Sequence, residues 1–171
     1  MKKNMIFLLS AFVLVFASCE KQDNNDLLRQ SGSDLDLKNG PVLTFTAHLT
    51  GSQEVPPNES QATGQAIFRL SADGTELHYR LIVANLENLT ASHIHLAAPG
   101  LNGPVVAFLY AGPIPGFFSG VLAEGVITSA NLVGPLAGHP LEDLVNLMLA
   151  GSTYTNVHTT QFPGGEIRGQ I

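Results

Sequence analysis

Residues 65–83 read QAIFRLSADGTELHYRLIV, and this stretch decides the fold class. Apolar and polar residues alternate on both sides of a central Asp73-Gly74 pair, which gives each arm one apolar face. Asp-Gly is favoured in tight turns because glycine adopts positive φ angles without steric cost. The stretch therefore predicts an antiparallel β-hairpin with one buried face. The residues predicted to be buried are Ala66, Phe68, Leu70, Leu77, Tyr79, Leu81 and Val83.

The rest of the chain from residue 41 onward has the same texture, with short strand-like segments between turns rich in glycine and proline. The run at 105–110 is almost continuously apolar and predicts a central strand, whereas the Gly-Pro-rich run at 112–116 predicts a break. Further strands are predicted at 42–49, 92–97, 118–128, 153–159 and 166–171. Together they predict an all-β fold, an antiparallel Greek-key-like β-sandwich or barrel.

One short helix is predicted near residues 140–150. Pro140 suits a first helical turn, and Glu142 and Asp143 lie where the helix dipole favours acids. Apolar residues recur at the i, i+3, i+4, i+7 spacing of a helix with one buried side, and Gly151 can end it. The apolar residues are Leu141, Leu144, Val145 and Met148.

Residues 1–18 are predicted to be a lipoprotein signal peptide. A short basic start precedes the apolar residues 5–17, a run too short to cross a bilayer comfortably as a helix. Cys19, the only cysteine of the chain, follows small residues, and this junction resembles a bacterial lipobox. The resemblance implies that Cys19 is the acylated first residue of a protein anchored to the bacterial cell envelope, facing the periplasm or the surface. The alternative is an ordinary secretory signal with a chance cysteine.

Residues 19–40 are polar and acidic, and they predict a disordered tether between the lipid and a domain at 41–171. Removal of the signal peptide takes away two of the eight basic residues, so six would face fourteen acids, a net charge of −8. This balance argues against nucleic acid as a partner. A nucleophile elbow, a phosphate-binding loop and paired acids for glycoside chemistry are all missing from the sequence.

Three histidines form the sharpest chemical hypothesis. His93 and His95 lie two residues apart on a predicted strand, so their side chains point to the same face. His158 lies on a second predicted strand, and all three imidazoles could hold one Cu(II) or Zn(II) ion if the strands are neighbours. Proton competition should then weaken the metal below the usual histidine pKa near 6.5. The alternative is that the histidines make structural hydrogen bonds without a metal.

The other three histidines give weaker support for a functional site. His48 and His78 lie on the outward faces of their strands and are expected to be solvated. His139 precedes the helix, where it could cap the first turn, face water or supply a fourth ligand. Asn156 projects to the same side as His158, where it could orient a ligand or equally bond to the backbone.

Two further features suggest surface roles. Glu166 and Arg168 share one face of the last predicted strand, where they could orient a histidine, but the pattern favours a surface ion pair of small energetic value. The segment at 54–57, Glu-Val-Pro-Pro, predicts a rigid exposed loop that could recognise a protein partner. Of the neighbouring Phe117 and Phe118, at least one is expected to join the core.

Several motifs in order resemble the chordin-type (CHRD) domain family. They are FTAHLTGSQEVPP at 45–57, ASHIH at 91–95, Gly100 followed by GPVV at 103–106, NVHTT at 156–160 and PGGEIRGQI at 163–171. The resemblance covers essentially the whole domain. It implies an extracytoplasmic all-β domain.

The histidine pattern is also similar to the copper half of Cu/Zn superoxide dismutases, which are Greek-key β-barrels. Those enzymes carry further zinc-binding histidines in a loop, whereas here no histidine follows His95 until His139. The leading functional prediction is a non-enzymatic, lipid-anchored binding module, with Cu(II) or Zn(II) as its candidate ligand. The alternatives are a metal-free protein-interaction or structural domain and, third, a dismutase-like copper enzyme.

Overall fold

The computed structural model describes residues 43–171. The predicted signal peptide, the predicted acylation of Cys19 and the predicted tether all lie outside the described residues. Among the helices of the described part, none has both the length and the apolar character needed to cross a membrane.

The described residues form an antiparallel β-fold with one α-helix. The strands are β1 (Thr44–Thr50), β2 (Thr63–Leu70), β3 (Leu77–Leu96), β4 (Val105–Ile127), β5 (Thr153–Thr159) and β6 (Ile167–Gln170). The helix α1 (Leu141–Leu149) precedes β5, and single 3-10 turns occur at Gly51–Gln53, Ser129–Asn131 and Gly134–Leu136. The strand order is β2-β1-β6-β5-β3-β4, and β2 also pairs with β3.

The extra β2–β3 pairing closes the sheet into a barrel-like ring. The first part of β3 pairs with β2 from Leu77 to Ala84, and the last part of the same edge pairs with β5 from Leu89 to Leu96. Because β1 and β6 link β2 to β5, these five strands form a circuit, and β4 runs along the other edge of β3. The predicted all-β barrel or sandwich is confirmed.

The hairpin at 65–83 and the helix α1 form where the sequence predicts them, with the predicted faces toward the core. Phe68 lies opposite Tyr79 and Leu70 opposite Leu77, on the face that points into the core. Gly74 has a φ of 72°, as the turn requires. The apolar side of α1 is buried in the same core cluster, at the four predicted positions. Full burial of each large apolar side chain contributes about 1.5–3 kcal/mol before the entropic cost of ordering.

The predicted central strand at 105–110 is wrong. It begins β4, which pairs only with β3 and stands last in the strand order, so it is an edge strand. The predicted break at 112–116 is also wrong, because β4 continues through it with register shifts against β3. Prolines are tolerated there since an edge strand needs no hydrogen bonds on its open side.

Likewise, the separately predicted strands ending at Val83 and beginning at Ser92 are one strand, β3. Asn85 and Asn88 lie between them with φ values of 61° and 54°. Asparagine tolerates this left-handed conformation better than most residues, so it permits bulges without ending the strand.

Candidate metal centre

The register of β3 and β5 places the three histidines on one face of the sheet. His93 lies opposite Asn156, His95 opposite Tyr154, and His158 opposite Ala91. The residues between them, such as Ile94 and Val157, point the other way and are fully buried in the core. The histidines therefore lie on the outer wall of the ring.

This outer wall is not bare. His95 is buried, and His93 and His158 are half-buried. Loops at 97–104 and 160–165 cover it and bond directly to the histidines, through the carbonyl oxygens of Gly103 and Pro163. The wall is therefore a partly enclosed polar layer outside the apolar core.

The three imidazoles come within reach of a single ion. His93 Nδ1 and His158 Nε2 are 3.2 Å apart. One nitrogen from each of the three histidines lies within 4.8 Å of the other two. Tetrahedral zinc with Zn–N bonds of 2.0–2.1 Å separates its ligand nitrogens by about 3.3 Å. One pair already has this spacing, and the third nitrogen needs to approach by at most about 1.5 Å, so the cluster could hold a metal ion.

Backbone carbonyls fix the tautomers of two ligands. His95 Nδ1 donates to Gly103 O over 2.9 Å, and His158 Nδ1 donates to Pro163 O over 3.0 Å. Because a carbonyl oxygen only accepts, each neutral ring keeps its lone pair on Nε2. His95 Nε2 is buried without a hydrogen-bond partner. Such carbonyl-oriented imidazoles are typical of metal ligands.

The three histidines favour the neutral form. Burial, together with the neighbouring His158 and His95, lowers the pKa of His93 to about 4. Burial is also the main cause that lowers the pKa of His95 and of His158. Neutral imidazole is the form that binds metal, so proton competition should begin at a lower pH than the sequence predicted.

Next to the cluster lies a stack of rings and a guanidinium. His95 stacks on Tyr154 with 4.7 Å between centroids and 5° between planes. The Arg168 guanidinium lies 3.4 Å over the Tyr154 ring and donates to Leu101 O and Asn102 Oδ1. Arg168 thereby holds the 97–104 loop against the wall. The sequence does not predict this stack, although strand alternation places these side chains on the histidine face.

The predicted surface ion pair between Glu166 and Arg168 is wrong, because both residues are buried and the structure shows no ion pair between them. Arg168 is only 2% exposed. Glu166 accepts hydrogen bonds from the hydroxyls of Ser60 and Thr159, at 2.7 and 2.6 Å. Strand alternation correctly predicts that Glu166 and Arg168 share a face, but it does not predict the loops that cover this face.

The predicted exposed loop at 54–57 is partly wrong. Pro56 and Pro57 are exposed, but Glu54 is only 5% exposed. Burial raises the pKa of Glu54 to about 7, against the opposing effects of the Arg168 charge and the Val55 N–H. Glu54 Oε1 has no hydrogen-bond partner among the described residues.

The remaining histidines lie away from the cluster. His48 and His78 are exposed, as predicted, and His78 Nε2 is 3.2 Å from Glu76 Oε2. His139 Nδ1 lies 2.7 Å from Asp143 Oδ2 at the exposed start of α1. His139 is outside the three-histidine group, so the predicted fourth-ligand role gains no support.

The family model described as CHRD domain matches residues 45–171. No solved structure matches the chain.

Proposed function

We propose that this chain, which belongs to the CHRD domain family, is a binding module that holds one Cu(II) or Zn(II) ion through His93, His95 and His158. The convergence of three imidazole nitrogens within 4.8 Å carries the proposal. Two of the rings already present Nε2 lone pairs, because backbone carbonyls hold their Nδ1 protons. The protein would therefore lose little conformational freedom on binding.

The ligand set selects the kind of ion. Imidazole suits both Cu(II) and Zn(II), and three nitrogens leave a position open for water or another ligand. Soft Cu(I) sites use thiolate or thioether ligands. Met148 is buried in the core cluster, and the chain's one cysteine, Cys19, lies outside the described residues. The donors on this wall therefore favour divalent ions.

A stoichiometric titration tests the proposal. The purified protein should bind one equivalent of Cu(II) or Zn(II) by calorimetry. His93→Ala and His158→Ala should lose this binding, whereas His48→Ala, an exposed control, should retain it. Equal weak binding in all four proteins would reject the site.

The lipid anchor is part of the same proposal and rests on the sequence Ala17-Ser18-Cys19. Acylation of Cys19 would display the module at the bacterial envelope. The wild-type protein should fractionate with membranes and its Cys19→Ser variant should not. Equal membrane association of both would contradict acylation.

A second candidate is a protein-interaction module, favoured by apolar side chains on the outward face of β4. Phe117 is 82% and Phe108 56% exposed, and Val121 and Val126 share the strand. Phe108 packs edge-on against His93, so this surface adjoins the histidines. The dismutase-like alternative rests only on histidine spacing. A superoxide assay of the copper-loaded protein tests it.

A further inference from the structure

The histidine cluster has a fourth polar neighbour on the same wall. Asn156 lies between Tyr154 and His158 on β5 and is only 2% exposed. Its Oδ1 is 3.0 Å from His158 Nε2. With the His158 Nδ1 proton donated to Pro163 O, this Nε2 carries a lone pair, and so does the amide oxygen. Two acceptors thus face each other at a distance that a shared cation would stabilise.

On its other side the Asn156 amide approaches Glu54. A Cβ at Gly165 would clash with Glu54 Oε1 and lie 3.0 Å from Asn156 Nδ2, so the two atoms flank the same small gap without a hydrogen bond between them. Gly165 has a φ of 129° and leaves the gap between them open. Since Glu54 Oε1 is buried and lacks a partner, the amide N–H is the nearby donor available to it.

We propose that Asn156 Oδ1 is the fourth ligand of the metal, and that Glu54 is a positioning residue that holds the amide nitrogen away from the ion. This inference rests on the proposed metal-binding function. A Glu54 carboxylate that closes the gap and accepts from Nδ2 would hold Oδ1 toward the histidines, whereas an amide turned the other way would point its N–H groups at the ion. The resulting site has three nitrogen ligands and one oxygen ligand.

The test compares metal binding and spectra in matched variants of the purified protein, loaded with Co(II) or Cu(II) alone. Asn156→Ala should weaken binding roughly tenfold to a hundredfold, and should shift the Co(II) d–d bands and the Cu(II) hyperfine splitting. Asn156→Asp should keep the oxygen ligand and bind at least as tightly as wild type. Asn146→Ala, on the exposed side of α1, should change neither affinity nor spectrum.

Glu54→Ala should weaken binding by roughly tenfold, and the double variant with Asn156→Ala should lose little more than Asn156→Ala alone. Additive losses would show that Glu54 does not act through Asn156. Unchanged affinity and spectra in Asn156→Ala, with binding still abolished in His93→Ala, would overturn the fourth ligand and leave the three-histidine site standing. Absence of binding in the wild-type protein would instead overturn the metal proposal itself. Thermal melts in chelator check that each variant folds.

Discussion

The two halves of β3 have the same alternating pattern but different surroundings. In the first half the outward residues His78 and Arg80 are exposed and lie near Glu76 and Glu124 at the surface. In the second half the outward His93 and His95 lie under loops beside the buried Arg168. Strand alternation decides to which face of the sheet a side chain points. Loops from elsewhere in the chain decide whether that face is exposed to solvent. The candidate site exists only where the outer wall is covered.

The largest expected difference concerns two arginines: Arg168 of β6, which packs beside the covered half of β3, and Arg80, which lies in the exposed half. Arg168→Ala would leave Leu101 O and Asn102 Oδ1 without their donor and open a cavity beneath the loop, at a cost of about 3–5 kcal/mol. Arg80→Ala removes only an exposed ion pair with Glu124 and should cost less than about 1 kcal/mol. Urea unfolding measures both. Equal losses would show that the covered half is no more tightly built than the exposed half.

The buried carboxyl predicts a specific pH dependence. Because the folded-state pKa of Glu54 is raised to about 7, its contribution to stability is fully present below pH 4.5 and is lost as pH rises through 7. Between pH 5 and pH 8 the wild type should therefore lose free energy of unfolding on the order of 2–3 kcal/mol, and Glu54→Gln should not show this loss. The control is Glu59→Gln at an exposed position of the same loop. Parallel stability profiles for the wild type and Glu54→Gln in chelator would contradict the burial of Glu54.

The lowered pKa values of the three histidines predict how metal affinity depends on pH. Three imidazoles with ordinary pKa values would lose roughly several hundredfold in metal affinity between pH 7 and pH 5.5. Because burial and the neighbouring imidazoles lower the pKa of His93 to about 4, and burial also lowers the pKa values of His95 and His158, we expect a loss smaller than about seventyfold. Cu(II) titrations at the two pH values decide between these outcomes. A steep loss would mean that the covered wall is as wet as the exposed half.

Local pattern was enough to predict the hairpin at 65–83, the buried side of α1 and the common face of His93 and His95. The meeting of His158 with that pair could be stated only as a condition, since strand pairing is a long-range property. The structure supplies the missing neighbour relation between β3 and β5. The metal itself, the acylation of Cys19 and the envelope location stay predictions.

The wrong predictions have a common cause, because each depends on contacts between parts of the chain that are distant in sequence. Glycine and proline at 112–116 predict the end of a strand, but along an open edge they only shift its register. Glu54 and Arg168 are charged and were expected at the surface, but loop contacts bury them, among them the bond from Asn102 Nδ2 to Val55 O. Such contacts join residues 47 positions apart and leave no periodic trace in the sequence.

Thermal unfolding with and without Zn(II) tests most directly whether the covered wall is a native-state metal site. At an ion concentration of about 100 times Kd, binding to the folded protein alone contributes about 2.7 kcal/mol, which should raise the Tm of the wild type by roughly 5–10 °C. His158→Ala should show no such rise, and His78→Ala, in the exposed half of β3, should match the wild type. An equal rise in His158→Ala, or none in the wild type, would contradict the account.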